Sequence, residues 1–110
     1  MIRITSGGHF QVDFANGFTL SVFNGYGSYS DGRDMGDAYK TLYEYKTKSM
    51  EIAVLYNGNL QSINHPILTE IGLASDKIAG YVDADRFLEV CNAVASLTTE
   101  NIIRVYDIQA

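Results

Sequence analysis

Apolar and polar residues alternate with a period of two from His9 to Val22, and the alternation is interrupted by one turn. Phe10, Val12 and Phe14 are interleaved with His9, Gln11 and Asp13. After Ala15-Asn16-Gly17 the apolar series resumes at Phe18, Leu20 and Val22. This pattern builds strands with one buried face. A two-residue Asn16-Gly17 turn sets Ala15 opposite Phe18, and the apolar set of one strand then lies across from the polar set of the other. A three-residue connection, with Gly17 at positive φ, pairs Phe14 with Phe18, Val12 with Leu20 and Phe10 with Val22. All six apolar side chains then share a face, so the three-residue turn is expected.

The same reading places the remaining elements. Ile2 and Ile4 alternate with Arg3 and Thr5 in a short first strand that Gly7-Gly8 ends. Met50, Ile52, Val54 and Tyr56 mark a central strand, Asn57-Gly58-Asn59 a second hairpin turn, and Leu60 to Ile63 the return. Pro66 lacks a ladder donor and demotes the next segment to an edge or loop. Ile67 to Leu73 is then a short helical turn or an irregular link, and Lys77 to Val82 another short strand. Asp83 caps the clearest helix: Phe87, Val90, Cys91 and Val94 recur at helical spacing, and Leu88, Ala95 and Leu97 widen the stripe. Ile103 and Val105 belong to a terminal strand.

Two segments resist this treatment. Asn24 to Gly36 holds four glycines and shows no apolar periodicity, which makes it a long loop. Tyr39 to Lys48 has strand-type residues, although Asp37 can cap a short helix through Leu42 and Tyr43. The sum is an α+β fold over residues 1–110 as a single domain, with an antiparallel sheet of five to seven strands and one helix packed on a face.

Composition narrows the function classes. Hydrophobic residues make up 46% of the 110, which argues against global disorder. The uncharged stretch from Tyr56 to Thr69 is too short and polar to span a bilayer, and Ser6-Gly7-Gly8 interrupts the start before an apolar signal segment develops. A cytoplasmic location is the default. A formal charge of −5 repels phosphate backbones, so direct nucleic-acid binding is not expected, while a basic protein partner is compatible. Cys91 is the single cysteine, so no internal disulfide forms, and on its amphipathic segment it reads as a small core residue.

Catalytic and metal chemistry finds no signature. His9 and His65 are far apart in sequence and read as surface or turn residues, and neither HExxH nor CxxC occurs. Asp31, Asp34 and Asp37 lack the alternating oxygens and distal glutamate of a calcium loop, and read as turn-forming aspartates. Gly25-Tyr26-Gly27 is not followed by Gly-Lys-Ser/Thr, and no G-x-S-x-G elbow exists. No cofactor, metal or catalytic residue is expected. The loop is left as the candidate site. Asn24, Tyr26, Ser28, Tyr29, Arg33 and Met35, extended by Tyr39 and Tyr43, have the composition of a protein-binding surface, in which tyrosines supply contact area and small polar residues adapt. The competing reading folds these tyrosines back onto the sheet.

The stretches from His9 to Val22 and from Met50 to Leu55, with Gly80-Tyr81-Val82-Asp83 leading into a helix, resemble small accessory proteins of tailed bacteriophages and prophages. The shared pattern is an F-x-V-x-F-x-N-G hairpin, a glycine-rich loop and a C-terminal strand–helix unit. The resemblance implies a phage or bacterial cytoplasmic setting, where small acidic proteins often bind and inhibit a host protein, including components of antiviral defence. The leading expectation is a non-enzymatic protein that binds another protein. The alternative is sequestration of a phosphate or nucleotide by Arg33 and loop amides. An unpaired sheet edge is also compatible with a homodimer.

Overall fold

Gly17 adopts φ of +90°, and the Phe14 N–H donates to the Phe18 carbonyl at 2.9 Å. Ala15, Asn16 and Gly17 therefore form the three-residue turn that the alternation demands. The computed structural model describes residues 1–5, 7–25, 28–32 and 47–104. Its strands are β1 (Ile2–Thr5), β2 (His9–Asp13), β3 (Phe18–Phe23), β4 (Ser49–Tyr56), β5 (Asn59–Ile63), β6 (Ala79–Asp83) and β7 (Ile102–Ile103). Its helices are α1 (Pro66–Glu70) and α2 (Ala84–Ala95), with a short 3₁₀ turn at Thr99–Asn101. The architecture is α+β, an antiparallel sheet with one main helix on it.

Strand order is β1-β2-β3-β4-β5-β7, and β6 also pairs with β4. One edge of β4 is thus divided: Val54 to Tyr56 take β5, while Ser49 to Ile52 take β6. Register follows the apolar pattern. Phe10 sits opposite Val22, Val12 opposite Leu20, and these continue into Ile52 and Val54 of β4. Phe18, Leu20, Val22, Ile52 and Val54 are wholly buried, each burial contributing about 1.5–3 kcal/mol. Ala53 is buried on the other face as well, so β4 is covered on both sides at its centre.

The helix forms where the cap and the stripe place it. The Asp83 carboxylate accepts the Arg86 N–H at 2.9 Å, and Val90, Ala93 and Val94 turn into the core. Phe87 meets Phe10 edge-on, with ring centroids 6.4 Å apart at 79°. The stripe is narrower than expected: Leu88 is 69% exposed, because at 100° per residue it falls outside the Val90–Val94 arc. The second hairpin turn is also shorter. Asn57 and Gly58, at φ of +52° and +80°, are its only turn residues, and Asn59 already pairs with Tyr56. At the chain's far end, Ile102 and Ile103 pair with Ile63 and Ser62. Of the expected strand from Tyr39 to Lys48, residues 39–46 lie outside the described residues, as does the continuation through Val105, and Thr47 and Lys48 precede β4 outside any strand.

Candidate functional site

The described part of the glycine-rich loop is anchored by side chains turned inward. The Ser28 hydroxyl donates to the Gly25 carbonyl at 2.6 Å and shares a hydrogen bond with the Ser30 hydroxyl at 2.7 Å, which in turn accepts the Gly32 N–H at 3.1 Å. Both serines are buried. Ser28, expected in the contact surface, instead supports the loop from within, because its one hydroxyl is consumed by two loop partners. Gly25 packs so closely that a Cβ there would stand 1.9 Å from the Gly7 carbonyl oxygen. The Asn24 N–H donates to the Gly8 carbonyl at 2.9 Å, which docks the loop's start on the β1–β2 connection.

Asp31 closes the loop onto the start of β4. Its carboxylate accepts from the backbone N–H groups of Lys48 and Ser49 and from the Ser49 hydroxyl. Burial would raise this carboxyl's pKa, and those hydrogen bonds outweigh it and hold it below the usual carboxylate range. Its oxygens accept from three protein donors, as a turn-forming aspartate's do. Asp34 and Asp37 lie outside the described residues, and among the described residues no group of three or more His, Cys, Asp or Glu side chains converges.

Among the described residues, Tyr29 is the expected contact residue that reaches solvent, at 49% exposure, and Tyr81 of β6 is 61% exposed beside it. The two are joined through the backbone: the Tyr81 N–H donates to the Tyr29 carbonyl at 2.7 Å. Tyr81 has φ of +55°, the left-handed region, and sits in a β-bulge. Met50 pairs with Val82 and Ile52 with Ala79, so Gly80 and Tyr81 together oppose Glu51. A Cβ at Gly80 would approach the Tyr29 Cβ to 2.7 Å, so only glycine lets the loop lie against the bulge. Sequence reasoning did not select Tyr81 as a surface residue. The available signal was Gly80 inside a strand, which marks a bulge or a close backbone approach.

Next to this pair, His9, Ser21, Phe23 and Glu51 line a shallow, open hollow of about 430 Å³ on the sheet face away from α2. The His9 Nε2 and Ser21 Oγ are 2.9 Å apart, and the His9 ring meets Phe23 edge-on at 5.9 Å. Glu51 Oε1 accepts the Tyr29 N–H at 3.1 Å, linking hollow and loop. The arrangement offers aromatic edges, a hydroxyl and a carboxylate to a surface contact. Tyr26, Arg33, Met35, Tyr39 and Tyr43 lie outside the described residues. Cys91 is half-buried, and burial pushes its thiol up, which lowers its reactive thiolate fraction.

Among the described residues no helix is long and apolar enough to cross a membrane. No protein-family model, curated protein or solved structure matches this chain.

Proposed function

We propose that this chain is a non-enzymatic accessory protein of phage type that acts by binding another protein, with Tyr29 and Tyr81 at the centre of the contact. The observation that carries the reading is the Tyr81 backbone. A tyrosine in the left-handed region costs about 1 kcal/mol, and here that conformation presents a large aromatic side chain to solvent. Exposed tyrosines held on a braced loop and a bulged strand lose little freedom on binding. The net charge of −5 favours a basic partner. The bacterial cytoplasm is the setting, and a host defence component the class of target, that the resemblance suggests. Capture from bacterial lysate tests it. Wild type retains a partner that the Tyr29→Ala/Tyr81→Ala variant loses at unchanged helical and sheet content; equal recovery by both proteins overturns the reading.

A second reading rests on a different region. A groove of about 590 Å³ between β5, β7 and the segment after α1 is lined by Tyr56, Lys77 and Arg104, with hydroxyls from Ser62, Ser75 and Thr99 and no acidic residue among its described lining. In an acidic chain this suits a phosphate-bearing small molecule, the role otherwise assigned to Arg33. A nucleotide at 100 times its dissociation constant adds about 2.7 kcal/mol of stability. A thermal-shift series that stays flat with mono-, di- and triphosphates removes this alternative.

A further inference from the structure

We infer that β1 is a self-complementary edge through which two copies of this chain pair about a two-fold axis at Arg3. The hydrogen-bond phase fixes which backbone groups are available. Met1 and Asp13 exchange both bonds, the Met1 amine donating to the Asp13 carbonyl at 3.1 Å and the Asp13 N–H to the Met1 carbonyl at 2.8 Å. In an antiparallel ladder such doubly bonded pairs alternate, so Arg3 and Thr5, opposite Gln11 and His9, face β2. Ile2 and Ile4 therefore direct their N–H and C=O groups away from β2, and among the described residues β1 ends the strand order on that side.

Those four groups match their own copies. Antiparallel pairing centred on Arg3 sets Ile2 of one protomer opposite Ile4 of its partner and the converse, so all eight edge groups meet in four hydrogen bonds. The side chains agree. Ile2 and Ile4, opposite Val12 and Phe10, stand on the α2 face of the sheet, yet are 66% and 81% exposed. Pairing would gather four isoleucines into one apolar strip continuous with Phe10. The edge also lacks the usual guards against pairing: β1 carries no proline, no bulge and no lysine. Its one charge, Arg3, is neutralised by Asp13 at 2.7 Å, so the guanidiniums that meet at the axis each bring a carboxylate. An arbitrary peptide strand would match the ladder, but the pairing of isoleucine with isoleucine in this register selects a second copy.

Two four-residue strands make a small contact, so the dimer is concentration-dependent. Sedimentation velocity should show mass rising from 12.2 kDa toward twice that value between micromolar and millimolar protein. Ile4→Lys, at an exposed position, should leave the melting temperature within about 2–4 °C (roughly ±0.5 kcal/mol) and hold the protein monomeric. Across the axis Arg3 meets Arg3 at about 4.5 Å between Cα atoms, inside the disulfide range of about 4.4–6.8 Å. Oxidised Arg3→Cys/Cys91→Ser should therefore give a covalent dimer, and Gln11→Cys/Cys91→Ser, one strand further in, should not. A monomer at every concentration, a dimer indifferent to Ile4→Lys, or equal cross-linking of both cysteine variants overturns the inference.

Discussion

Asp31 and Ser49, eighteen positions apart, hold each other at three points: Asp31 Oδ1 accepts the Ser49 N–H at 2.7 Å and its hydroxyl at 2.8 Å, and the Asp31 N–H donates to the same hydroxyl at 3.0 Å. The pair fastens the described part of the glycine-rich loop to the first residue of β4, the strand in the middle of the sheet. Asp31→Ala should therefore cost about 1–2 kcal/mol, the lower end of what several hydrogen bonds to a carboxylate contribute, because the site is exposed. Urea unfolding measures it.

The same carboxylate gives a pH dependence of known sign. Its folded-state pKa is lowered, so the charged form is favoured by folding. Its contribution is complete above the unfolded value of about 3.9 and is lost as pH falls through the lower folded value. The stability difference between wild type and Asp31→Asn should thus be constant from neutral pH to about pH 4 and shrink in stronger acid. A difference that grows on acidification would contradict this assignment.

Glycines in the chain should separate by mechanism when changed to alanine. At Gly25 a Cβ would lie 1.9 Å from the Gly7 carbonyl oxygen, and at Gly32 it would lie 2.0 Å from that of Asn24. Neither backbone can yield without opening the loop root, so each change should cost about 1–3 kcal/mol through overpacking. Gly58 has open space around it, and only its φ of +80° opposes a side chain. There Gly58→Ala should cost about 1 kcal/mol. Equal losses at Gly25 and Gly58 would show that crowding is not what fixes the loop.

Tyr81 offers a test in which stability and binding move apart. Tyr81→Gly removes a side chain from the left-handed region at φ of +55° and should be neutral or stabilising by up to about 1 kcal/mol. Tyr81→Val, β-branched at the same φ, should destabilise. If Tyr81 serves a contact, the glycine variant melts no lower than wild type and still loses the partner. A marked loss of stability in Tyr81→Gly would mean that the ring packs for folding, and the proposed surface would lose its centre.

The features legible in sequence are those fixed by neighbours. Three-residue geometry at Ala15-Asn16-Gly17 follows from keeping Phe14 and Phe18 on one face, and Asp83 announces α2 because a cap lies beside the helix it caps. Features set by distant partners were not legible. Nothing in the order of residues tells that Asn24 docks on Gly8, that the Tyr29 carbonyl meets the Tyr81 N–H, or that Asp31 waits for Ser49. Ile2 and Ile4 show the limit of periodicity: they lie on the apolar face and are still exposed, because alternation reports which face a residue occupies and not how far the covering helix reaches.

Asn16 is the sharpest such case, and its chemistry can be changed without changing its shape. Its side-chain Nδ2 donates to the carbonyls of Val94 and Leu97 at 2.8 and 3.1 Å, while its Oδ1 accepts the Phe18 N–H at 3.1 Å. One amide therefore shapes the first hairpin turn and satisfies carbonyls at the C-terminus of α2, which carry the negative end of the helix dipole. Asn16→Asp keeps the acceptor toward Phe18 and replaces the donor with a second oxygen facing those carbonyls. At neutral pH the variant should lose about 2–3 kcal/mol, from two forfeited hydrogen bonds and a charge at the wrong helix end. Folding then disfavours the ionised form, so the aspartate's folded pKa is raised. Its penalty relative to wild type should shrink as pH falls below about 5 and the protonated carboxyl again becomes a donor. Paired denaturation curves of wild type and variant from neutral to acidic pH measure the difference. A penalty that does not change with pH would place the loss in the turn alone and would separate the hairpin from the helix it is argued to hold.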